Sequence, residues 1–405
     1  MNDSFTAAFE GIRVVELAQW VFVPVAGALL ADWGADVIHV EPLTGDPYRG
    51  LVTQGIGAGR DGVNLSMALA NRGKRSIALD VQTAAGREVL EQLIESADVL
   101  LTNLRPRALE RLGLESDSLL DRYPRLIYAR GHGYGVHGPD ANQAGYDASA
   151  FWARGGLGHI LTPPGQTHPI SQRGAMGDRA GAMALAFGIA TALLNRERRG
   201  KGGLVDVSLL ATAMWTLSSD ILAALEGSGP TSAPERGEMP NPLVGVYQTK
   251  DGRHIQLVFL QGDRYWPKFC ELVGRHDLAS DPRFSDSAAR RINGRACVAA
   301  LDAEFGTRTF EEWKQLLTRL DAPWAPVQSV TELLDDPQVM ANSYVGDVSD
   351  GLADYRLPNV PVQFNGHPAE LRRAPEFGEH TETILLDLGY DWEHISGLKD
   401  ARAIP

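Results

Sequence analysis

The sequence predicts an α/β protein with a Rossmann-like large domain and a smaller α+β domain. Short β-rich runs alternate with helical segments through the first third of the chain, which is typical of a parallel sheet covered on both faces. A segment rich in proline and glycine, residues 226–242, then separates this part from a predicted hairpin and three helices. The 405 residues also exceed what one ordinary core accommodates, so we expect two domains.

The elements of the large domain follow from hydrophobic patterning. Strands are predicted where β-branched and aliphatic residues cluster, and helices where apolar residues recur at helical spacing. In residues 84–95, for example, Val89 and Leu93 fall on one helical face. The predicted strands are 12–17, 36–40, 76–80, 98–102, 125–129 and 204–207, and the predicted helices are 25–33, 84–95, 179–198 and a segment ending near 225.

The smaller domain is predicted after the linker. A hairpin pairs residues 245–249 with 254–258, and helices follow near 264–273, 287–304 and 309–320. The tail is predicted to return to the large domain and to end in a helix over 381–388. The predicted boundaries are 1–225 for the large Rossmann-like domain, 226–242 for the linker, 243–330 for the small domain and 331–405 for the return.

Composition excludes several classes of function. The formal net charge of -13 argues against binding to nucleic acid or to an anionic membrane. Two cysteines, Cys270 and Cys297, supply neither a disulfide framework nor a cysteine zinc site, and they indicate a reducing, cytoplasmic location. The chain has no run of about 20 apolar residues and no leader-like N-terminus, so we expect neither membrane insertion nor export.

Common nucleotide and hydrolase motifs do not account for the chain. The segment 133–138 matches the dinucleotide pattern G-x-G-x-x-G, but Pro139 and Asp140 follow it where a helix should begin. Neither a G-x-S-x-G elbow nor a P-loop occurs. His132 and His137 lack metal-ligand spacing and are interpreted as loop histidines, so no metal site is predicted.

Asp178 is the most informative residue of the chain. A stretch of small residues without proline follows it and ends in a basic, glycine-containing segment, which predicts a helix from about Arg179 to Arg198. Asp178 is therefore predicted at or next to the N-cap. It either caps the helix, or it is kept ionised by the helix start and aimed at a ligand, with Gly177 leaving room for close approach. Local sequence does not choose between these two interpretations.

Basic side chains cluster before the third predicted strand and after the fourth. Such groups hold phosphorylated nucleotides, while solvated loop charge balanced by Glu110 and Glu115 is the alternative. The first cluster is Arg72, Lys74 and Arg75, and the second is Arg105, Arg107 and Arg111.

Together these segments resemble the class III coenzyme A transferase family, also called CaiB/BaiF, which includes formyl-CoA and carnitine-CoA transferases and α-methylacyl-CoA racemases. The resemblance runs nearly from end to end of the chain. It is carried by GIRVVEL at 11–17, ADWGADVIHVEP at 31–42, NRGKRSIALD at 71–80, GYD at 145–147, GD at 177–178, RERRGKG at 196–202, VDVSLL at 205–210 and GEHT at 378–381.

The resemblance implies a function and a site. Asp178 falls on the family's nucleophile, which attacks the donor thioester to form an aspartyl mixed anhydride and then carries CoA as an aspartyl thioester. Tyr146, Asp147 and Gly177 fall in the active-site segment. An acyl-CoA and a carboxylic acid are the expected partners, and since CoA is a substrate, no separate cofactor is implied. The predicted CoA-binding residues are Leu79, Asn103, Leu104 and Arg111, with Lys74 and Arg75 from the basic cluster.

The resemblance also implies an intertwined homodimer, in which each chain forms a ring through which the other passes. Several positions depart from the family pattern. The sequence therefore does not establish how the nucleotide is bound or whether a loop closes over the site. Trp20, Phe22 and Trp152 suggest a bulky or apolar acyl group, although buried core aromatics explain them equally well. The departures are Val23-Pro24 for Gly-Pro, Pro42-Leu43 without arginine, Gln82 and Ala144 for lysines, and a single glycine in 259–262.

Two other functions are weighed against CoA transfer. Racemases of 2-methylacyl-CoA in the family carry Gly-His-Asp where this chain has Gly145-Tyr146-Asp147, and the histidine is one of their two acid/base groups. Tyrosine side chains ordinarily ionise at a pKa of about 10 and replace it poorly, so the transferase is favoured. A CoA-binding protein without chemistry would require Asp178 to be only a cap.

Overall fold

The structure is a computed structural model and describes residues 7–55, 57, 59–60, 63–163, 165–227, 235–349 and 354–405. The chain divides into one unit of Met1–His159, Ile170–Glu226 and Pro337–Pro405 and a second of Ile160–Pro169 and Gly227–Asp336. The predicted small domain falls within the second unit, and the chain returns to the first unit at Pro337, six residues after the predicted boundary. Residues 228–234 of the predicted linker lie outside the described residues.

The strands provide the frame of both units. A six-stranded sheet, a three-stranded sheet and two two-stranded sheets are formed by the described residues. Their bounds are β1 (Arg13–Leu17), β2 (Asp36–Glu41), β3 (Gly59–Arg60), β4 (Val63–Asn64), β5 (Arg75–Ala78), β6 (Val99–Thr102), β7 (Ile127–His132), β8 (Gly203–Ser208), β9 (Val244–Gln248), β10 (His254–Val258), β11 (Trp324–Pro326), β12 (Val345–Ser349) and β13 (Asp354–Pro358).

Helices connect and cover these strands. The helices up to residue 225 are α1 (Phe22–Asp32), α2 (Leu65–Asn71), α3 (Ala84–Glu95), α4 (Pro106–Leu112), α5 (Ser116–Arg122), α6 (Leu157–Ile160), α7 (Met176–Arg199), α8 (Leu209–Thr216) and α9 (Ser218–Leu225), with a π-helix at Asp147–Ala153. The later ones are α10 (Gly262–Val273), α11 (His276–Ser280), α12 (Ser287–Ile292), α13 (Gly294–Phe305), α14 (Phe310–Leu317), α15 (Pro337–Ala341), α16 (Thr381–Asp387) and α17 (Trp392–Asp400). Short 3-10 turns lie at Pro47–Gly50, Val52–Gln54, Arg236–Glu238, Pro282–Phe284 and Glu332–Asp335.

The first unit is built on a six-stranded parallel sheet in the order β5-β2-β1-β6-β7-β8. Val14 of β1 pairs with Val37 of β2 on one side and with Val99 of β6 on the other. The chain therefore winds outward in both directions from β1, as in doubly wound folds. Such sheets bind ligands beyond the carboxyl ends of the strands where the winding reverses, here between β1 and β6.

Both faces of this sheet are covered, as the sequence predicts. Side chains alternate between faces, so Val14 packs in a core with α1 and α7 while Val15 packs in a second core with α3, α4, α5, α16 and α17. The predicted α/β architecture is confirmed. Pattern-based helix bounds differ in detail: the helix predicted to end near 225 is divided at Leu217 into α8 and α9, and α17 was not predicted.

The second unit has its own aromatic core around the sheet β11-β10-β9. The rings of Phe305 and Trp313 stack at 4.3 Å between centroids, and the hairpin pairs Gln248 with His254. Cys270 and Cys297 are free thiols in this core, and burial raises the pKa of each to about 12. No helix among the described residues of the protein is both long and apolar enough to cross a membrane.

Candidate active site

A cavity of about 350 Å³ opens beyond the carboxyl ends of the central strands. Gln19 and Trp20 follow β1, Asn103 follows β6, and His132 is the last residue of β7. Asp178 reaches the same cavity from the first turn of α7. The structure therefore brings the predicted residues Asp178, Tyr146, Asn103 and Leu104 together at the ligand-binding edge of the sheet.

A second cavity, of about 230 Å³, lies beside the first and is more apolar in its lining. Leu79 follows β5, Leu104 follows β6, and Arg111 comes from α4. Three residues predicted to contact CoA thus line one cavity. Gln19, Leu104 and Ala108 line both cavities, so the two spaces are contiguous.

Three arginines, Arg105, Arg107 and Arg111, form a basic pocket of about 190 Å³ at the same edge of the sheet. Arg105 also lines the first cavity, and Arg111 also lines the second. All three side chains are exposed, and none forms an ion pair with an acidic residue of the described chain. Their exposure agrees with the alternative of solvated charge, although neither Glu110 nor Glu115 forms an ion pair with them in the described chain. Two cavities joined by unpaired positive charge fit an elongated anionic ligand.

The start of α7 differs from the prediction and explains how Asp178 is presented. The helix begins at Met176 because Ala175 adopts a left-handed φ of 62° as its N-cap, so Asp178 is the third helical residue. Asp178 was predicted at or next to the N-cap, and this placement is wrong; of its two open interpretations, the structure does not support capping. Asp147 instead accepts the amide hydrogen of Gly177, at 3.0 Å. Asp178 makes no hydrogen bond or ion pair with the described residues, and its carboxylate is left for the cavity.

Asp147 and Gly177 are fixed by packing below the cavity. Oδ1 of Asp147 also accepts a hydrogen bond from Gln172 Nε2 at 2.9 Å, whereas its buried Oδ2 has no hydrogen-bond partner among the described residues. A Cβ atom on Gly177 would lie 2.2 Å from Cγ of Phe151 and 2.5 Å from Oδ1 of Asp147. Glycine is therefore required for the packing of the helix start against the π-helix, and not for the approach of a ligand.

The surroundings of Asp178 make its carboxyl group a weak acid. Burial raises the pKa of Asp178 to about 7, the negative charge of Asp147 adds to the increase, and Arg179 opposes it. A carboxylate that is half-buried and relatively basic is a better nucleophile than one fully solvated in water. The site therefore holds a carboxyl group that changes its charge near neutral pH.

Asn103 holds the loop that borders the cavity. Its Oδ1 accepts the amide hydrogen of Gln19 at 3.1 Å, and its Nδ2 donates to the carbonyl oxygen of Gln19 at 2.7 Å. The side-chain amide thus joins the end of β6 to the end of β1. Beside this loop, Trp20 stands edge to face with Tyr146, with ring centroids 5.6 Å apart and planes at 85°.

Lys74 and Arg75 do not lie at the cavities, and their prediction as CoA-binding residues is corrected. Nζ of Lys74 is buried and donates to both carboxylate oxygens of Glu16, at 2.7 and 2.9 Å. Arg75 pairs with Asp36 at 2.7 Å and with Asp387 at 2.7 Å. Both residues stand at the amino end of β5, which in a parallel sheet is the edge opposite the ligand site.

His132 is a site residue that sequence reasoning missed, because it was interpreted as part of a loop. Its Nε2 lies 3.1 Å from Oδ1 of Asp206, and Arg130 binds the same carboxylate at 2.7 and 3.0 Å. Burial opposes the ionisation of Asp206, yet hydrogen bonds from His132 and Arg130 lower its pKa to about 2. The continuation of the β-pattern to residue 132 was the available signal, since it places His132 at a strand's carboxyl end.

Comparison with known proteins places the chain in a family. Residues 9–381 match the family model described as CoA-transferase family III. The (R)-2-hydroxy-4-methylpentanoate CoA-transferase of Clostridioides difficile is 35% identical over 98% of this chain and 99% of that protein. The cinnamoyl-CoA:phenyllactate CoA-transferase of Clostridium sporogenes is 34% identical over 99% of this chain and 98% of that protein.

A solved structure supports the same assignment. Rv3272 of Mycobacterium tuberculosis has a TM-score of 0.80 and 30% sequence identity over 93% of this chain and 98% of that one. A CaiB/BaiF family protein of Brucella suis has a TM-score of 0.79 and 29% identity. The resemblance found in the sequence is confirmed, and the protein is an enzyme that transfers CoA. The chain belongs to CoA-transferase family III.

Proposed function

We propose that the enzyme moves CoA from an acyl-CoA thioester to a free carboxylic acid through covalent intermediates on Asp178. The carboxylate of Asp178 enters the first cavity without a hydrogen bond to the described chain, while Asp147 takes over the capping of its helix. This single arrangement carries the proposal, because it leaves a desolvated carboxylate that has no structural duty of its own.

The chemical steps balance with Asp178 as the only covalent group. Its carboxylate attacks the thioester carbonyl, the C–S bond breaks, and CoA thiolate leaves behind an aspartyl–acyl anhydride. The thiolate then attacks the aspartyl carbonyl, which releases the donor acid and forms an aspartyl-CoA thioester. The acceptor carboxylate displaces the thiolate to form a new anhydride. The thiolate finally attacks the acceptor's carbonyl, which yields the new acyl-CoA and restores Asp178.

An exchange assay tests this function. The protein is incubated with a panel of acyl-CoAs and isotope-labelled free acids, and the label that enters the thioester pool is measured. We expect label in the thioester only when both substrates are present. Racemisation would instead introduce deuterium from D₂O at the α-carbon of a 2-methylacyl-CoA without acyl exchange, and that result would overturn the transferase proposal.

We propose that the acids have a branched or aromatic side chain. The two curated relatives described above are named for 2-hydroxy-4-methylpentanoate and for phenyllactate, which are 2-hydroxy acids of these two types. The first cavity is lined by the rings of Trp20, Phe22, Tyr134 and Tyr146. Such rings bury large apolar area and suit a bulky side chain next to the reacting carboxyl group.

We propose that the nucleotide part of CoA lies in the second cavity and that its phosphates lie on the basic pocket. An Arg111→Gln variant is then expected to raise the KM for acyl-CoA about tenfold with little change in kcat, because it removes binding shared by ground and transition states. Steady-state kinetics at two ionic strengths measure this effect. Arg291→Gln, an equally exposed arginine of the second unit, is the control; equal KM changes in both variants would contradict the assignment.

Activity is expected to increase with pH through the pKa of Asp178, about 7. Only the ionised carboxylate attacks, so kcat/KM should fall about tenfold for each pH unit below that value. Asp147→Asn removes the like charge and keeps an acceptor for Gly177, so the midpoint should move to lower pH. The pH profile of kcat/KM measures both. Asp117→Asn, at an exposed position of α5, should leave the midpoint unchanged, and a shift equal to that of Asp147→Asn would refute the coupling.

We infer that the enzyme is an intertwined homodimer with no separate cofactor. Helices α7, α8 and α9 expose large apolar side chains that a second copy would cover, and sedimentation equilibrium tests this. The exposed apolar side chains include Phe187 (74%), Leu194 (53%), Trp215 (81%), Leu222 (64%) and Leu225 (76%).

Among the described residues, no three or more His, Cys, Asp or Glu side chains form a group that could hold a metal ion.

A further inference from the structure

The backbone of Trp20 has a conformation that bulky residues rarely adopt. Its φ is 72°, in the left-handed region, where the side chain crowds the backbone. Ala175, the N-cap residue of α7 and three positions before Asp178, is another non-glycine residue of this kind. Strain of this type persists only where the surroundings impose it, and it concentrates at functional sites.

Asp46 holds the backbone of Trp20 in this left-handed conformation. Its carboxylate is 2% exposed and accepts the amide hydrogen of Trp20 at 3.3 and 3.2 Å and that of Tyr48 at 2.8 Å. The amide of Asp46 in turn donates to Glu41 Oε2 at 2.9 Å. Arg49 holds Glu41 at 2.7 and 2.8 Å. The amide of Trp20 is therefore fixed by a buried group whose own position is fixed.

The strained conformation places the Trp20 ring in the wall of the cavity that holds Asp178. There the ring contacts Tyr146 edge to face, an arrangement that aromatic pairs favour. Tyr146 itself is 57% exposed, and its ring contacts that of Trp20. An apolar group next to the carbonyl attacked by Asp178 would lie against this pair.

We propose that Trp20 is the residue that selects the acid by the size of its apolar side chain, and that Asp46 is a positioning residue that acts through Trp20. The inference rests on the proposed function, because it concerns the acid that receives CoA. It assigns aromatic and branched carboxylic acids to contact with the Trp20 ring. Short acids such as butyrate do not reach that ring and gain nothing from it.

The test compares 3-phenylpropionate, 4-methylpentanoate and butyrate as acceptors at saturating acyl-CoA. Trp20→Ala is expected to lower kcat/KM for the two larger acids about tenfold or more and for butyrate less than about twofold. Trp20→Phe, which keeps a ring, should lose less. Trp392→Ala, at an exposed tryptophan of α17, is the control and should leave the ratios unchanged.

Asp46→Asn tests the positioning role. It should lower the same ratio of large to small acids, and in a Trp20→Ala background it should have no further effect on that ratio. Additive effects would assign Asp46 a separate role. If wild-type enzyme labels thioester from some acids but all Trp20 variants keep the wild-type ratios, this inference alone is overturned. If wild-type enzyme labels thioester from no acid, the proposed function and this inference are both overturned. Trp20→Ala decides the selectivity even if Asp46→Asn fails to fold.

Discussion

Asp178→Ala is expected to reduce CoA exchange by at least about 10³-fold, because neither the aspartyl anhydride nor the aspartyl-CoA thioester can form without this carboxylate. Asp178→Asn, which is nearly isosteric, should lose activity to the same extent. The melting temperature of both variants should stay close to that of the wild type, since Asp178 makes no hydrogen bond or ion pair with the described residues. Initial rates of label exchange and thermal unfolding curves give the two readouts.

The covalent intermediate provides a second readout of the same prediction. Wild-type enzyme mixed with acyl-CoA alone, denatured and analysed by intact-mass spectrometry should gain the mass of one CoA less that of one water, because the aspartyl thioester loses a carboxyl oxygen to the released acid, and peptide mapping should locate the adduct on Asp178. The Asp117→Asn variant, altered at an exposed position of α5, should form the adduct as the wild type does. Exchange by Asp178→Ala at the wild-type rate, or an adduct on another residue, would contradict the nucleophile assignment.

Much of the fold could be predicted because it depends on local patterns. In residues 84–95 apolar side chains recur at helical spacing, and the helix α3 has those bounds. The Thr83 side chain caps its start, and its apolar face continues to the last turn. The division of the helix after β8 was not predicted. Leu217 is a good helix former, so its departure from helical geometry, at φ -92° and ψ 22°, does not follow from its own propensity.

The candidate site shows where sequence reasoning stops. Asp178 could be singled out by its place before a run of small residues. That it does not cap the helix depends on Asp147, 31 positions earlier in the chain, which accepts the amide hydrogen of Gly177, and on Ala175, whose backbone is left-handed. Lys74 and Arg111 are both basic residues near strand ends, yet one lies at the amino edge of the sheet and the other at the carboxyl edge. Charge clustering alone does not distinguish those two edges.

The placement of Lys74 predicts a large effect on stability. Its ammonium group donates to Glu16 at 2.7 and 2.9 Å, to the carbonyl oxygen of Pro24 at 2.8 Å and to Asn71 at 2.9 Å. Both ionic side chains are fully buried. Burial lowers the pKa of Lys74, while Glu16 acts in the opposite direction. Breaking such a pair leaves one charge buried without its partner, which is more costly than losing the attraction itself.

Lys74→Met is therefore expected to lower the free energy of unfolding by about 3–5 kcal/mol, whereas Lys399→Met, which breaks an exposed pair with Glu382, should cost less than about 1 kcal/mol. Adding Glu16→Gln to Lys74→Met should recover part of the loss, because the orphaned charge is removed. Urea unfolding at one protein concentration measures all three variants. A Lys74→Met protein of wild-type stability with a raised KM for acyl-CoA would show that Lys74 binds CoA after all.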